Sequence, residues 1–468
     1  MEKGKRTCGH APPVRSAAAR RQLERSARAL DLLSFVVVFF RTLRYTTSSP
    51  GEPEIPYTMA TPPCLNLDAI RLILAEIHSP SERRSVGKSV SLVCRALRDD
   101  GQRMVWNSLA SYLLTDWPWE NEAVNLTLRD DRLAGFVGEL YWGVAWRKSY
   151  EDADLDRLWT LLSQVLRRCG RLRDLHISDI PLEAHSTIFR AVLASPACPN
   201  IEYLALSERR LPPGSADIAY TAANPHPVEL LQLLCALGNL RTFDCDIRFR
   251  TPASVDYAPP AMGTLSSLRT LSVFQPRFDN PAPYFPDDDP FLRLLLPRLD
   301  RHSLRDLTIP HFPHQTLLLS FLPGLALTSL DISGYNNLPP HFASVVGPDY
   351  PPFYLLDDLA PVLPSLSSLE FLALRLPVPY FNPTDTAEGS HSLTSFLNTL
   401  PSTLESLSID IIFTPSNPLF VDYLAHPRSA ALRRLIFVTS RNGPISERSK
   451  TWEKSKQGEW QVALKPSS

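Results

Sequence analysis

A six-residue phrase, leucine-x-x-leucine-x-isoleucine with near variants, returns along this chain about ten times. Clear copies begin at Leu172 (LRDLHI), Ile201 (IEYLAL), Leu268 (LRTLSV), Leu304 (LRDLTI), Leu327 (LTSLDI), Leu369 (LEFLAL) and Leu404 (LESLSI). Weaker copies begin at Val137 (VGELYW), Leu240 (LRTFDC) and Leu432 (LRRLIF), and successive starts lie 23 to 42 residues apart. Side chains alternate between the faces of an extended strand. In LRDLHI, therefore, Leu175 and Ile177 point one way and Asp174 and His176 the other, while Leu172 joins the apolar side from the turn before the strand. One such strand cannot bury its apolar face alone. Stacked on copies of itself it builds a continuous core.

Parallel neighbours need a return crossover, usually a helix. Helical stripes stand upstream of most copies: DLDRLWTLLSQVLRRCG before Leu172, VELLQLLCALG before Leu240, LLDDLAPVLPSL before Leu369 and LTSFLNTLP before Leu404. In the first, Leu155, Leu158, Leu162, Val165 and Leu166 fall on one face. Chance in a leucine-rich chain does not produce ten copies with such partners. The predicted fold is α/β: a leucine-rich-repeat solenoid, a curved parallel sheet with outer helices, preceded by a small three-helix domain. The irregular spacing resembles long strand-plus-helix repeats and not the short, regular repeats of extracellular receptors.

Composition narrows the function classes. The chain has 468 residues and a formal net charge of −1, so no global basic field exists to hold nucleic acid or an acidic membrane. Its 44 prolines against 18 glycines cluster between repeats, as in NPAPYFPDDDP and LPVPYFNP, where loops should lie. The seven cysteines include no CxxC pair or zinc spacing, so buried free thiols in a reducing compartment are expected. Asn125-Leu126-Thr127 matches a glycosylation acceptor, which carries no meaning without a secretory route. Near the start, Arg15, Arg20, Arg21, Arg25 and Arg28 precede an apolar stretch from Leu30 to Phe40 that is too short to span a membrane. A signal-peptide core, an Arg-rich presequence, a disordered extension and a translation start at Met59 all stand as readings; the last two are favoured.

Residues 64–109 read as three short helices. Asp68 can cap the first, which carries Ile70, Ile73, Leu74 and Ile77. SPSERR breaks it. Val90, Leu92, Val93 and Leu97 form a second cluster, and Met104, Val105, Trp106 and Leu109 a third. A core this small is usually steadied by a partner or a neighbouring domain, and the segment could equally cap the first solenoid strand. The stretch resembles an F-box. Ser91-Leu92-Val93-Cys94-Arg95 matches that family's Ser-Leu-Val-Cys-Arg phrase, and Val105-Trp106 stands near the expected end. It departs after that phrase, where Ala96-Leu97 stands in place of the family's frequent Trp or Phe, and at the start, where Leu65-Asn66 or Leu67-Asp68 replaces Leu-Pro. An F-box followed by leucine-rich repeats is a known architecture, and the style is similar to many fungal F-box proteins. Expected boundaries are an extension over 1–60, the F-box-like domain over 61–110, a linking segment with the first irregular repeat over 111–170, repeats over 171–440 and a tail over 441–468. Tryptophans 117, 119, 142, 146 and 159 are expected to pack the join between domains. The tail could be disordered, or Trp460-Gln461-Val462 could add a closing edge strand.

The resemblance implies the substrate-recognition subunit of an SCF-type cullin-RING ubiquitin ligase. Leu67, Ile70, Leu74, Leu92, Val93 and Trp106 would contact a Skp-type adaptor and through it a cullin, although some of them must serve the internal core. It implies no catalytic residue, no cofactor, no nucleic acid, no stable membrane insertion, a cytoplasmic or nuclear place, and a monomer outside the complex. Target contact follows from strand alternation. One concave row is His176, Ala205, Asp244, Ser272, Thr308, Asp331, Ala373 and Ser408. The adjacent row is Asp174, Tyr203, Thr242, Thr270, Asp306, Ser329, Phe371 and Ser406. The expected target contacts are His176, Tyr203, Asp244, Asp306, Thr308, Asp331 and Phe371, with Tyr203 and Phe371 as anchors for a polar or mildly basic target segment; a merely solvated face is the other reading. The alternative function is a leucine-rich scaffold without a ligase role.

Enzyme readings find little support. His311 and His314 in HFPH, near His302 and His341, are separated by proline and cannot pair along a helix. Asp287-Asp288-Asp289 reads as a solvated loop. No GxGxxG, P-loop, HExxH or GxSxG occurs, so neither a metal nor a catalytic site is expected.

Overall fold

The computed structural model describes residues 74, 77, 80–93, 97–110, 121–143, 152–181, 184–208, 227–247, 263–273, 290–309, 316–332, 354–374, 387–412, 418–438, 449–455 and 458–463. Thirteen strands among them form one sheet, and their order in it follows the chain. They are β1 (Ser108–Ala110), β2 (Glu139–Trp142), β3 (Asp174–Ile180), β4 (Tyr203–Glu208), β5 (Thr242–Asp246), β6 (Thr270–Val273) and β7 (Asp306–Thr308). The series continues with β8 (Ser329–Ile332), β9 (Phe371–Leu374), β10 (Ser406–Ile412), β11 (Arg434–Val438), β12 (Ser449–Lys454) and β13 (Trp460–Val462). Each of the ten phrases is a strand, β2 to β11. From β3 to β11 every neighbouring pair is parallel. The last two strands turn back antiparallel. Helices such as Asp152–Arg168, Pro227–Ala236, Ala387–Thr399 and Pro418–Ala425 stand between strands. The result is a mostly parallel α/β fold of solenoid-like kind.

Register follows from the apolar pattern. Leu175, Leu204, Phe243, Leu271, Leu307, Leu330, Leu372, Leu407 and Leu435 stand side by side on successive strands. All nine are 0 % exposed. Burying each contributes roughly 1.5–3 kcal/mol before entropy is subtracted. Helices cover this face: the Phe243 ring meets Phe291 edge-on at 6.3 Å, and Phe437 meets Phe420 at 4.9 Å. The first leucine of each phrase is buried as well, and its N–H often closes a tight turn onto the carbonyl three residues earlier, as Leu172 does to Cys169 at 3.2 Å and Leu240 to Leu237 at 3.0 Å. That turn drops the chain from helix into strand. Cys169, Cys198 and Cys245 are buried free thiols, and burial pushes Cys169 up to about 12. A thiol so held stays protonated and unreactive.

The chain divides into two units, one comprising residues 1–110 and 120–140, the other 111–119 and 141–468. In the first, the helices Pro80–Val93 and Arg98–Trp106 pack beside a small core of Leu74, Ile77, Val90 and Leu97. Their backbones meet at two glycines. A Cβ on Gly101 would stand 2.6 Å from the Ser91 nitrogen and 2.7 Å from the Gly87 carbonyl oxygen. Arg83 donates through Nε to the Ile77 carbonyl at 2.6 Å and pairs with the Glu139 carboxylate, which also accepts from Asn107 Nδ2 at 2.8 Å.

Three local expectations change. The helix that holds Leu74 has ended by Ile77, but SPSERR is more than a break: Pro80 opens the next helix, and Ser81–Arg84 continue it, because proline lacks only an N–H that the first turn leaves unpaired anyway. Leu109 lies in β1 and not in a third helix. The tail contributes β12 as well as β13. Trp142 and Trp159 are buried; Trp117, Trp119, Trp146, the Leu30–Phe40 stretch, Asp287–Asp289, His311, His314 and His341 lie outside the described residues. Among the described residues no helix is long and apolar enough to cross a membrane.

Candidate functional site

The face opposite the buried leucines carries two polar rows. Cα register places His176, Ala205, Asp244, Ser272, Thr308, Asp331, Ala373 and Ser408 side by side. The second row is Asp174, Tyr203, Thr242, Thr270, Asp306, Ser329, Phe371 and Ser406, continued by Arg434. His176, Tyr203, Asp244, Asp306, Thr308, Asp331 and Phe371 are all half-buried there. Ala373 and Ser272 are small and sunken, at 6 % and 9 % exposure, so the face dips at those positions.

Two groups of side chains give the face its chemistry. At the first, the Tyr141 ring stacks on His176 at 4.2 Å with 16° between planes, and His176 faces Tyr203 at 4.5 Å. The Tyr203 hydroxyl donates to Asp244 Oδ2. Burial holds the His176 imidazole below the ordinary histidine range, with Asp244 opposing in part. Burial first, then the hydrogen bond to Asp244, raises the Tyr203 phenol. The result is a neutral aromatic stack ending in a carboxylate, beside a shallow cavity of about 190 Å³ that His176, Ala205, Ser207 and Asp244 help to line. At the second, Asp306 accepts from Thr270 Oγ1 at 3.1 Å and from Thr328 Oγ1 at 3.4 Å. Both groups are acceptor-rich, and they suit a partner that brings donors and apolar surface.

The structure brings together some candidates and separates others. His176, Tyr203 and Asp244 form one cluster on β3–β5. Asp306, Thr308 and Asp331 form another on β7 and β8. Phe371 stands on β9, five strand spacings from Tyr203, roughly 24 Å. One ligand touching both rings must therefore lie across the sheet. Tyr141 was not among the expected contacts, although the same alternation applied to VGELYW puts it in the row of His176. On the F-box-like side, Leu74 is 6 % exposed and belongs to the small core, so it serves packing there. Leu92 and Val93 lie in the last turn of Pro80–Val93, and Trp106 is half-buried at the end of its helix. Leu67 and Ile70 lie outside the described residues. Among the described residues no group of three His, Cys, Asp or Glu could hold a metal ion. No family model matches the chain, and no curated protein matches it.

Proposed function

We propose that this protein is a substrate-recognition subunit of an SCF-type ubiquitin ligase, with leucine-rich repeats docking a target and an F-box-like segment docking a Skp-type adaptor. The observation that carries the docking half is the pair of polar rows, held in continuous register on a sheet whose other face is sealed. A rigid, half-buried face with aromatic rings and carboxylates is suited to holding another polypeptide. The adaptor half rests on Ser91–Arg95 and Val105-Trp106 within a small domain whose described core is Leu74, Ile77, Val90 and Leu97. The protein would raise the local concentration of target lysines near a recruited conjugating enzyme and supply no catalytic group itself. Its place is the cytoplasm, the nucleus or both. Without an adaptor contact, the same face serves a protein-interaction scaffold.

Co-purification of the full chain with a Skp-type adaptor tests the first half. Failure under conditions where a known F-box protein binds would leave the scaffold reading. Asp306→Arg combined with Asp331→Arg tests the second, since capture of an identified target should drop at least tenfold. Undiminished capture would refute the acidic face as the contact.

A further inference from the structure

One row of the array belongs to neither the core nor the docking face. From the phrase at Leu172 onward, the second residue is, in order, Arg173, Glu202, Arg241, Arg269, Arg305, Thr328, Glu370, Glu405 and Arg433. From Arg173 to Glu405, the backbone carbonyl of each accepts two N–H groups from the next strand; Arg241 O, for example, takes Arg269 N at 2.8 Å and Thr270 N at 3.0 Å. These residues are thus pinned one strand spacing apart, roughly 4.8 Å. Three in succession are arginine: Arg241, Arg269 and Arg305, all exposed. Together they line a cavity of about 520 Å³, whose other walls include Asn239, Ser267 and His302.

Among the described residues no carboxylate lines that cavity. Among the described residues Glu202 is the acidic group that reaches the trio, 3.4 Å from Arg241, and it is shared with Arg173 at 3.9 Å. Arg305 donates to the Ala326 carbonyl at 2.8 Å, and Arg269 has no ion pair among the described residues. The walls are tied elsewhere: Asn239 Nδ2 donates to Pro199 O at 2.6 Å and Ser267 Oγ to Gly238 O at 2.9 Å. The three guanidinium groups, together with the Ser266 and His302 side chains, remain as polar groups at the cavity. Like charges on adjacent strands repel, and one strand spacing lies inside the screening length of about 8 Å in physiological salt. An anion in the cavity relieves that repulsion. Planar guanidinium forks pair bidentately with the oxygens of a phosphate group, whose charge can be shared among several arginines.

We propose that the notch formed by Arg241, Arg269 and Arg305 binds a phosphate group, carried either on a peptide side chain or on a small polyphosphate. The peptide arm rests on the docking function argued above; the polyphosphate arm does not. Binding is measured calorimetrically on the full chain without adaptor, so loss of the ligase role leaves the result readable. The probes are inorganic pyrophosphate and a phosphoserine peptide flanked by lysines, with its unphosphorylated form as control. Binding of either phosphate probe is expected, weakened at least tenfold in Arg241→Ala/Arg269→Ala/Arg305→Ala. Preference for the peptide identifies a modified protein as the source, and preference for pyrophosphate a small polyanion. Arg269→Lys keeps the charge but loses the fork, so a severalfold loss is expected from it even if the triple variant folds poorly. Arg173→Ala/Arg433→Ala removes charge from the same row outside the cavity and should change binding little. The proposal is overturned if neither phosphate probe binds, if the folded triple variant binds as well as the wild type, or if the Arg173/Arg433 variant loses as much.

Discussion

His176 is held between the rings of Tyr141 and Tyr203, and its charge state follows from that burial. Because its imidazole sits below the ordinary value of about 6.5, an unfolded chain takes up a proton there before the folded one does. The unfolded state is then favoured as pH falls through the ordinary histidine range, while nothing is lost above it. His176→Gln should therefore flatten part of the fall in melting temperature between about pH 7 and 5. An equal slope in wild type and variant would mean that the ring titrates as if in water. Much of this cluster was legible in the sequence, since strand alternation alone places His176, Tyr203 and Asp244 on one face. The Tyr203–Asp244 bond was not, because it joins residues in different rows and depends on side-chain reach, which a period of two does not encode. Nor was the arginine notch. Arg241, Arg269 and Arg305 sit 28 and 36 residues apart, and only strand pairing makes them neighbours.

At the level of elements, the two glycines where Pro80–Val93 meets Arg98–Trp106 set opposing effects against each other. Alanine at an interior helix position is worth about 1 kcal/mol over glycine. At Gly101, however, the new methyl would press on backbone atoms that cannot rotate aside, and such overpacking costs about 1–3 kcal/mol. Gly101→Ala is expected to lower the melting temperature of the first unit; a rise would show that the crossing has room. The nearby Arg83–Glu139–Asn107 group gives a second test. Glu139→Gln should cost up to about 1.5–3 kcal/mol, the range for hydrogen bonds to a charged group, and no measurable change in denaturant midpoint would count against it. Helix and strand identity was legible wherever apolar residues kept a clean period. It failed for β12, whose residues SKTWEK are polar and owe their strand form to pairing with β11. It also failed for Ser81–Arg84, which carry no apolar stripe and are helical because Pro80 starts the turn.

Across the whole molecule, each strand answers only to the strands beside it. Leu307 is 0 % exposed and registers with Leu271 and Leu330. A carboxylate there cannot keep its charge solvated, so Leu307→Asp should abolish hydrogen-exchange protection in β6 and β8 as well as β7, with the gentler Leu307→Ala costing about 2–5 kcal/mol. Loss confined to β7 would refute coupling between neighbours. The same arrangement has a mechanical reading. A polypeptide laid down strand by strand can be peeled off in that sequence. Tension applied from the C-terminal side would first strip the β12–β13 hairpin and then free one parallel strand at a time. Each release would yield 23 to 42 residues of slack, roughly 8–15 nm of contour. An optical trap would therefore record a staircase of extensions and not a single rip.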